Sequence, residues 1–257
     1  MKVMIRGVLL DLGGVVYVGD SPLPGALEAL DRLRGAGLPV RFLTNTTRRS
    51  TRRLVADLAR IGINLEPGEV LTPAQLAREH LIRNRLTPHL LVHANLEEEF
   101  ADLPPGGREA VVVGDAADRF TYANLNAAYR KLEAGADFIA LAGNRNFRDA
   151  DGDLSIDAGA FVTALEYASG RKALMLGKPA TGFFRLAVDA LGCRPAESVM
   201  VGDDAEADVG GALAAGLLGI LVRTGKYRAG EEAAMDPAPT HVAADLPAAV
   251  DWILDRV

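Results

Sequence analysis

The stretch Val8–Thr47 reads VLLDLGGVVYVGDSPLPGALEALDRLRGAGLPVRFLTNTT, and its pattern decides the fold. Val8–Leu12 is a short apolar run of the kind that fills a strand buried on both faces. Pro24–Gly37 spaces its apolar residues near a 3.6-residue period, and Gly37 is placed as a helix stop. Val40–Leu43 is apolar again. Strand, helix and strand in that order imply a crossover connection and a parallel sheet with helices outside. The pattern returns downstream. Ser50–Gly62 and Pro179–Leu191 read as helices, Val199–Val201 and Gly219–Val222 as strands. The middle repeats it, with strands at His89–His93, Ala110–Val113 and Asp137–Leu141 and helices at Tyr122–Ala134 and Ala158–Ala168. Leu103–Gly107 and Asn144–Asp153 read as loops. A (β/α) barrel of this length alternates in the same way, so periodicity alone leaves an open sheet and a barrel both in play.

Composition narrows the class. The 257 residues are 49% hydrophobic and 24% charged, which suits a soluble chain with one large or two modest domains. No linker rich in Gly, Ser or Pro divides it, so a second domain is expected as an insertion into the first. A net charge of −6 and a pI near 5.3 argue against a nucleic-acid partner, whose footprint is normally basic. The single cysteine, Cys193, excludes an internal disulfide and a thiolate metal cluster. No run approaches the ~18 apolar residues of a membrane span. The N-terminal apolar run is interrupted by Arg6, ended by Asp11 and followed by no small-residue cleavage site, so the expected location is cytoplasmic.

The informative residues stand at the ends of the strands. Asp11 ends the first apolar run and precedes Gly13-Gly14; Asp203 and Asp204 end the run at 199–201, with Asp208 close behind. Each alone reads more readily as an ordinary strand-to-helix turn. Ligands in open parallel sheets, however, bind beyond the carboxyl ends of strands, and acids gathered there repel unless a cation joins them. Thr44-Asn45 follows the second strand with a hydroxyl and an amide. Lys178, in Gly177-Lys178-Pro179, precedes a helix. A carboxylate, a hydroxyl, an ammonium and an acidic cluster are the parts that phosphoryl transfer needs.

In this order, Asp11, Thr44, Lys178 and Asp203/Asp208 resemble motifs I to IV of the haloacid dehalogenase (HAD) superfamily. LLDLGGVVYVGDSPLPGA, FLTNTT, LMLGKP and VMVGDDAEADVGGALAAG are similar to its class IIA members, the NagD-like and p-nitrophenyl phosphatase-like hydrolases. DGDLSIDAGAFVTALEYASGRKALMLGKP and GILVRTGKYR look closest to the branch of phospholysine phosphohistidine inorganic pyrophosphate phosphatase and the HAD-like hydrolase domain-containing proteins. The resemblance implies an α/β protein: a Rossmann-like core with a parallel sheet at residues 1–75 and 175–257, and an inserted α/β cap of the C2 type at 76–174. It implies Asp11 as nucleophile, phosphorylated during turnover, and Mg²⁺ held by Asp11, the Gly13 carbonyl and Asp203. Asp208 becomes an orienting residue behind the metal or Lys178, and Asp204 a further candidate ligand. Thr44, Asn45 and Lys178 become the phosphate binders, and Asn144 and Arg145 the substrate-facing residues of the cap. The partner is a small phosphorylated molecule, and a homodimer is compatible with the family.

One position departs from the pattern. Most phosphatases of the superfamily carry Asp-x-Asp in motif I, where the second Asp protonates the leaving group; here that position is Gly13. Losing a general acid costs about 10²–10⁴-fold. Three readings stay open: a substrate whose leaving group needs little protonation, such as an acyl phosphate, phosphoramidate or pyrophosphate; a donor from elsewhere, Asp204 or the cap; or a weak or inactive member that binds phosphorylated ligands in a regulatory role.

Other readings fit less well. Response-regulator receivers combine acids, Thr and Lys within ~120 residues, with the acidic pair early. Neither Gly13-Gly14 nor Gly210-Gly211 belongs to a G-x-G-x-x-G fingerprint. A dehalogenase proper needs no metal cluster. His80, His89, His93 and His241 have no metal spacing, Cys193 reads as a packing residue, and Arg48, Arg49, Arg52 and Arg53 read as a solvated helix face.

Overall fold

The computed structural model describes residues 4–104, 106–148 and 153–257. Its strands are β1 Gly7–Asp11, β2 Tyr17–Val18, β3 Ser21–Pro22, β4 Val40–Leu43, β5 Val70–Leu71, β6 Leu86–Leu91, β7 Arg108–Val113, β8 Asp137–Ala140, β9 Asn146–Arg148, β10 Leu154–Ile156, β11 Leu174–Met175, β12 Ser198–Gly202, β13 Leu218–Val222 and β14 His241–Ala243. Its helices are α1 Ala26–Gly35, α2 Thr51–Arg60, α3 Pro73–Asn84, α4 Tyr122–Glu133, α5 Ala158–Ser169, α6 Thr181–Leu191, α7 Gly211–Ala214 and α8 Leu246–Leu254. Contacts group them into two units. One takes Met1–Thr44, Val55–Leu71 and Lys178–Val257; the other takes Asn45–Leu54 and Thr72–Gly177.

The first unit is built on an open six-stranded sheet, β14-β13-β12-β1-β4-β5, in which every pairing is parallel. Its two free edges exclude the barrel. All five residues of β1 and all five of β12 are buried, as strands covered on both faces must be. Helix α6 packs on β1 and β4, and α1 packs on α8. From β1 the chain moves outward to β4 and β5 on one side, then returns to lay down β12 on the other. The sheet therefore reverses its strand order between β1 and β12, where a ligand crevice is expected. In register, Leu10 stands beside Val201, so Asp11 and Asp203 leave neighbouring strands at the same end.

The second unit carries its own parallel sheet, β11-β8-β7-β6. Alternate residues divide between two cores, because successive side chains of a strand face opposite ways. Ala110, Val112 and Ile139 belong to one, packed with Ala74, Ala77 and Leu81 of α3. Val111, Val113, Phe138 and Ala140 belong to the other, with Ala128 and Leu132 of α4 and Val162 and Leu165 of α5.

Several expectations need correction. Within Asn144–Asp153, expected as a loop, Asn146–Arg148 is a strand paired antiparallel with Leu154–Ile156; residues 149–152 lie outside the described residues, as does Pro105 of the expected loop Leu103–Gly107. His93 does not end a strand. It caps the 3-10 turn Ala94–Phe100, its Nδ1 accepting the Asn95 N–H at 3.1 Å. The arginine run is not simply solvated. Arg48 pairs with Asp115 and lies 4.4 Å from the Phe147 ring, while Arg52 and Arg53 share Glu98. Among the described residues no helix is long and apolar enough to cross a membrane.

Candidate active site

Asp11 is the last residue of β1, and Asp203 immediately follows β12. Both are buried, and so are Asp208 and Lys178. Asp204 opens the turn after β12: its Oδ1 accepts the Ala207 N–H at 2.9 Å and caps the π-helical turn Ala205–Gly210. A π turn is wider than an α turn and recurs at functional sites. This one brings Asp208 back toward the strand end, where its Oδ2 accepts the Asp204 N–H at 3.2 Å.

Lys178 binds two of the acids at once. Its ammonium lies 2.5 Å from Asp11 Oδ1 and 2.5 Å from Asp208 Oδ1, with the Leu43 carbonyl at 3.5 Å. Burial works against the charge on Lys178, but the two carboxylates outweigh it and raise its pKa above that of an ordinary lysine.

Asp203 is held from the other side by the loop after β13. Its Oδ2 accepts the Lys226 N–H at 2.7 Å. Gly14 (φ +84°) and Gly225 (φ +57°) close over it, and a β-carbon on either would overlap Asp203 Oδ2. The Thr224 hydroxyl donates to the Gly14 carbonyl and ties the two backbones together. Only glycine tolerates both that backbone angle and that approach. Gly13 is different: it is exposed, and a β-carbon there would meet nothing within 4 Å.

One carboxylate oxygen each from Asp11, Asp203 and Asp208 fall within 4.8 Å of one another. Burial, then the charges of Asp11 and Asp208, push Asp203 up to about 8. Burial likewise pushes Asp208 up to about 6, against the pull of the Lys178 ammonium. Three dry acids that resist sharing their charge, all with hard oxygen donors, fit a divalent cation of the Mg²⁺ or Ca²⁺ kind.

The residues singled out in the sequence are thus partly assembled. Asp11, Lys178, Asp203 and Asp208 form one cluster. Asp208 is one of the three clustered acids and also pairs with Lys178, whereas Asp204 acts as a cap and is not one of the three. Thr44 is buried just beyond β4, its N–H donating to the Leu71 carbonyl at 3.2 Å. Asn45, Asn144 and Arg145 belong to the second unit. There the Asn144 and Arg145 carbonyls accept the N–H groups of Gly159 and Asp157 at the start of α5. Sequence reasoning missed Thr224, Gly225 and Lys226. A glycine flanked by polar residues just after a buried strand was the available signal.

Comparison with known proteins identifies the family. A family model described as haloacid dehalogenase-like hydrolase matches residues 8–104, and one described as HAD-hydrolase-like matches 175–249. Haloacid dehalogenase-like hydrolase domain-containing protein 2 of Homo sapiens is 43% identical over 98% of this chain and 97% of its own. Phospholysine phosphohistidine inorganic pyrophosphate phosphatase of Rattus norvegicus is 38% identical, covering 98% of this chain and 96% of its own. Among solved structures, a glycerol phosphate phosphatase of Mycobacterium tuberculosis in complex with magnesium is similar, with a TM-score of 0.82, 28% identity and coverage of 96% of this chain and 78% of its own. With near-complete coverage at this identity, the chain belongs to the haloacid dehalogenase-like hydrolase family.

Proposed function

We propose that the protein is a Mg²⁺-dependent phosphatase. It transfers a phosphoryl group from a small substrate to Asp11 and then to water. The observation that carries this reading is the cluster of Asp11, Asp203 and Asp208 with Lys178 buried between two of them. A ligand-binding relic would not need a buried ammonium aimed at the nucleophile.

When bound, Mg²⁺ would be held by Asp11, Asp203 and Asp208, with the Gly13 carbonyl as a further ligand, and would supply positive charge against the phosphate oxygens. Lys178 holds Asp11 Oδ1 and lowers the repulsion between carboxylate and phosphate. Thr44 and Asn45 bind phosphate oxygens. An Asp11 oxygen forms a bond to phosphorus as the bond to the leaving group breaks; water then attacks phosphorus and frees Asp11. Asn144 and Arg145 are assigned to substrate selection.

With Gly13 in place of an acid, the leaving group departs without a proton from this position. That favours phosphoanhydrides, acyl phosphates and phosphoramidates over alkyl esters. The name of the similar rat protein, phospholysine phosphohistidine inorganic pyrophosphate phosphatase, supports the same class. The magnesium complex of the similar glycerol phosphate phosphatase supports the choice of metal. The reading extends to a cytoplasmic protein that pairs as a homodimer, which light scattering on the purified protein checks.

The test is turnover with Mg²⁺ of acetyl phosphate, imidodiphosphate, pyrophosphate and p-nitrophenyl phosphate, against Asp11→Asn. Turnover of the first three above that control is expected. Equal rates for both proteins on every compound would defeat the proposal in favour of a non-catalytic binding role.

A further inference from the structure

Lys178 and Lys226, two of only five lysines in the chain, stand at the acidic cluster. The backbone of Lys226 is fixed. Its N–H donates to Asp203 Oδ2 at 2.7 Å, and its neighbour Gly225 is locked against Gly14. The side chain is not fixed in the same way. It is 60% exposed; among the described residues its ammonium has one ion pair, with Asp204 Oδ2 at 3.7 Å, and its charge also acts on Asp203. Ion pairs of that kind hold weakly and yield readily to a better anion. The other Asp204 oxygen is engaged in capping the π turn. Lys178, by contrast, is buried and bound to Asp11 and Asp208.

We infer that Lys226 receives the anionic leaving group of the substrate. The inference rests on the reading of Asp11 as phosphoryl acceptor and adds the group on the far side of the breaking bond. As the Asp11 oxygen bonds to phosphorus, the bridging P–O bond breaks and its electron pair stays with the departing oxygen. Pyrophosphate carrying a proton on its departing phosphoryl releases hydrogenphosphate, and acetyl phosphate releases acetate, anions that need no further proton at neutral pH. The site has no acid at Gly13 to protonate a leaving group, but it has a cation beside the cluster to meet a charged one. Fixed positive charge where negative charge develops is an effective form of stabilisation. A phosphoramidate, whose nitrogen leaves as neutral ammonia, gives Lys226 no charge to meet.

The test uses Lys226→Met and Lys226→Arg in the full chain; both keep the backbone N–H to Asp203. By calorimetry in Mg²⁺, the preference of the wild type for methylenediphosphonate over phosphate is expected to fall about tenfold in Lys226→Met and to return in Lys226→Arg. The ratio of kcat/KM for pyrophosphate to that for phosphoramidate is expected to follow. Binding and kinetic ratios that stay within about twofold of wild type in Lys226→Met, or that Lys226→Arg does not restore, would overturn the inference. Wild type no faster than Asp11→Asn on either compound would instead defeat the phosphatase reading, and the binding ratios would still decide the role of Lys226.

Discussion

Lys178 and Asp208 form a salt bridge at 2.5 Å in which neither partner has appreciable contact with solvent. Because Lys178 also holds Asp11 at the same distance, its charge is the local counterweight to two buried acids. Removing one partner of such a group leaves uncompensated charge in a dry site. Lys178→Met is therefore expected to lower the metal-free unfolding free energy by about 3–5 kcal/mol, measured by urea titration. Turnover should fall by about 10²–10³-fold or more. Excess Mg²⁺ should recover part of the stability and none of the activity.

Gly13 and Gly14 are neighbours with opposite tolerances. Position 13 has open space for a side chain, and Gly13→Asp is expected to fold with little change in thermal midpoint. It should raise kcat/KM on alkyl phosphate esters by about 10²-fold. Gly14→Ala meets both a positive φ and the Asp203 carboxylate, and is expected to cost at least about 1–3 kcal/mol. A Gly13→Asp protein with unchanged ester turnover would show that proton donation is not what limits the wild type.

The acids of the site should make metal-free stability depend on pH. Asp203 and Asp208 have folded-state pKa values raised to about 8 and about 6, so below pH 8 the folded chain binds more protons than the unfolded one. The stability these groups contribute is fully present below about pH 4 and is lost as pH rises through 6 to 8. In chelator, their contribution should thus lower the thermal midpoint between pH 5 and pH 8.5, and Asp203→Asn should flatten the decline. The upward shift produced by Mg²⁺ should grow over the same interval, since binding requires the deprotonated acids. A Mg²⁺ shift independent of pH would contradict this.

In the second unit, α3 begins with a capping box. The Thr72 hydroxyl accepts the Gln75 N–H at 3.2 Å, and the Gln75 side chain returns the bond to the Thr72 N–H at 3.0 Å. Thr72→Ala should cost about 1 kcal/mol in urea titration, and Thr72→Ser should recover most of it.

Most of the architecture was legible because its signals are local. Buried strands such as Val40–Leu43 and Ser198–Gly202 announce themselves as apolar runs between turns, and Asp11, Asp203 and Lys178 stand at the ends of such elements. What escaped notice has physical reasons. Val70–Leu71 and His241–Ala243 are edge strands too short to show periodicity. Helix α3 was missed although Thr72-Pro73-x-Gln75 carries both its cap and its first-turn proline. The strands at 146–148 and 154–156 are three residues each, the second largely exposed, and antiparallel pairing, not burial, makes the structure. The clamp on Asp203 lies outside local reading altogether. It joins Gly14 to Thr224 and Gly225 across some two hundred positions, and close approach of two backbones leaves no mark on either segment except the glycines themselves.

Under the proposed function, with activated phosphoryl or acyl donors as substrates, the burial of Lys178 has a chemical consequence. Amines attack such compounds only as the free base. Held protonated between Asp11 and Asp208, with its pKa raised, Lys178 is disarmed as a competitor of Asp11 and should resist acylation by the molecules it helps to cleave. The same bonds that set its charge would then protect the site from inactivation by such substrates.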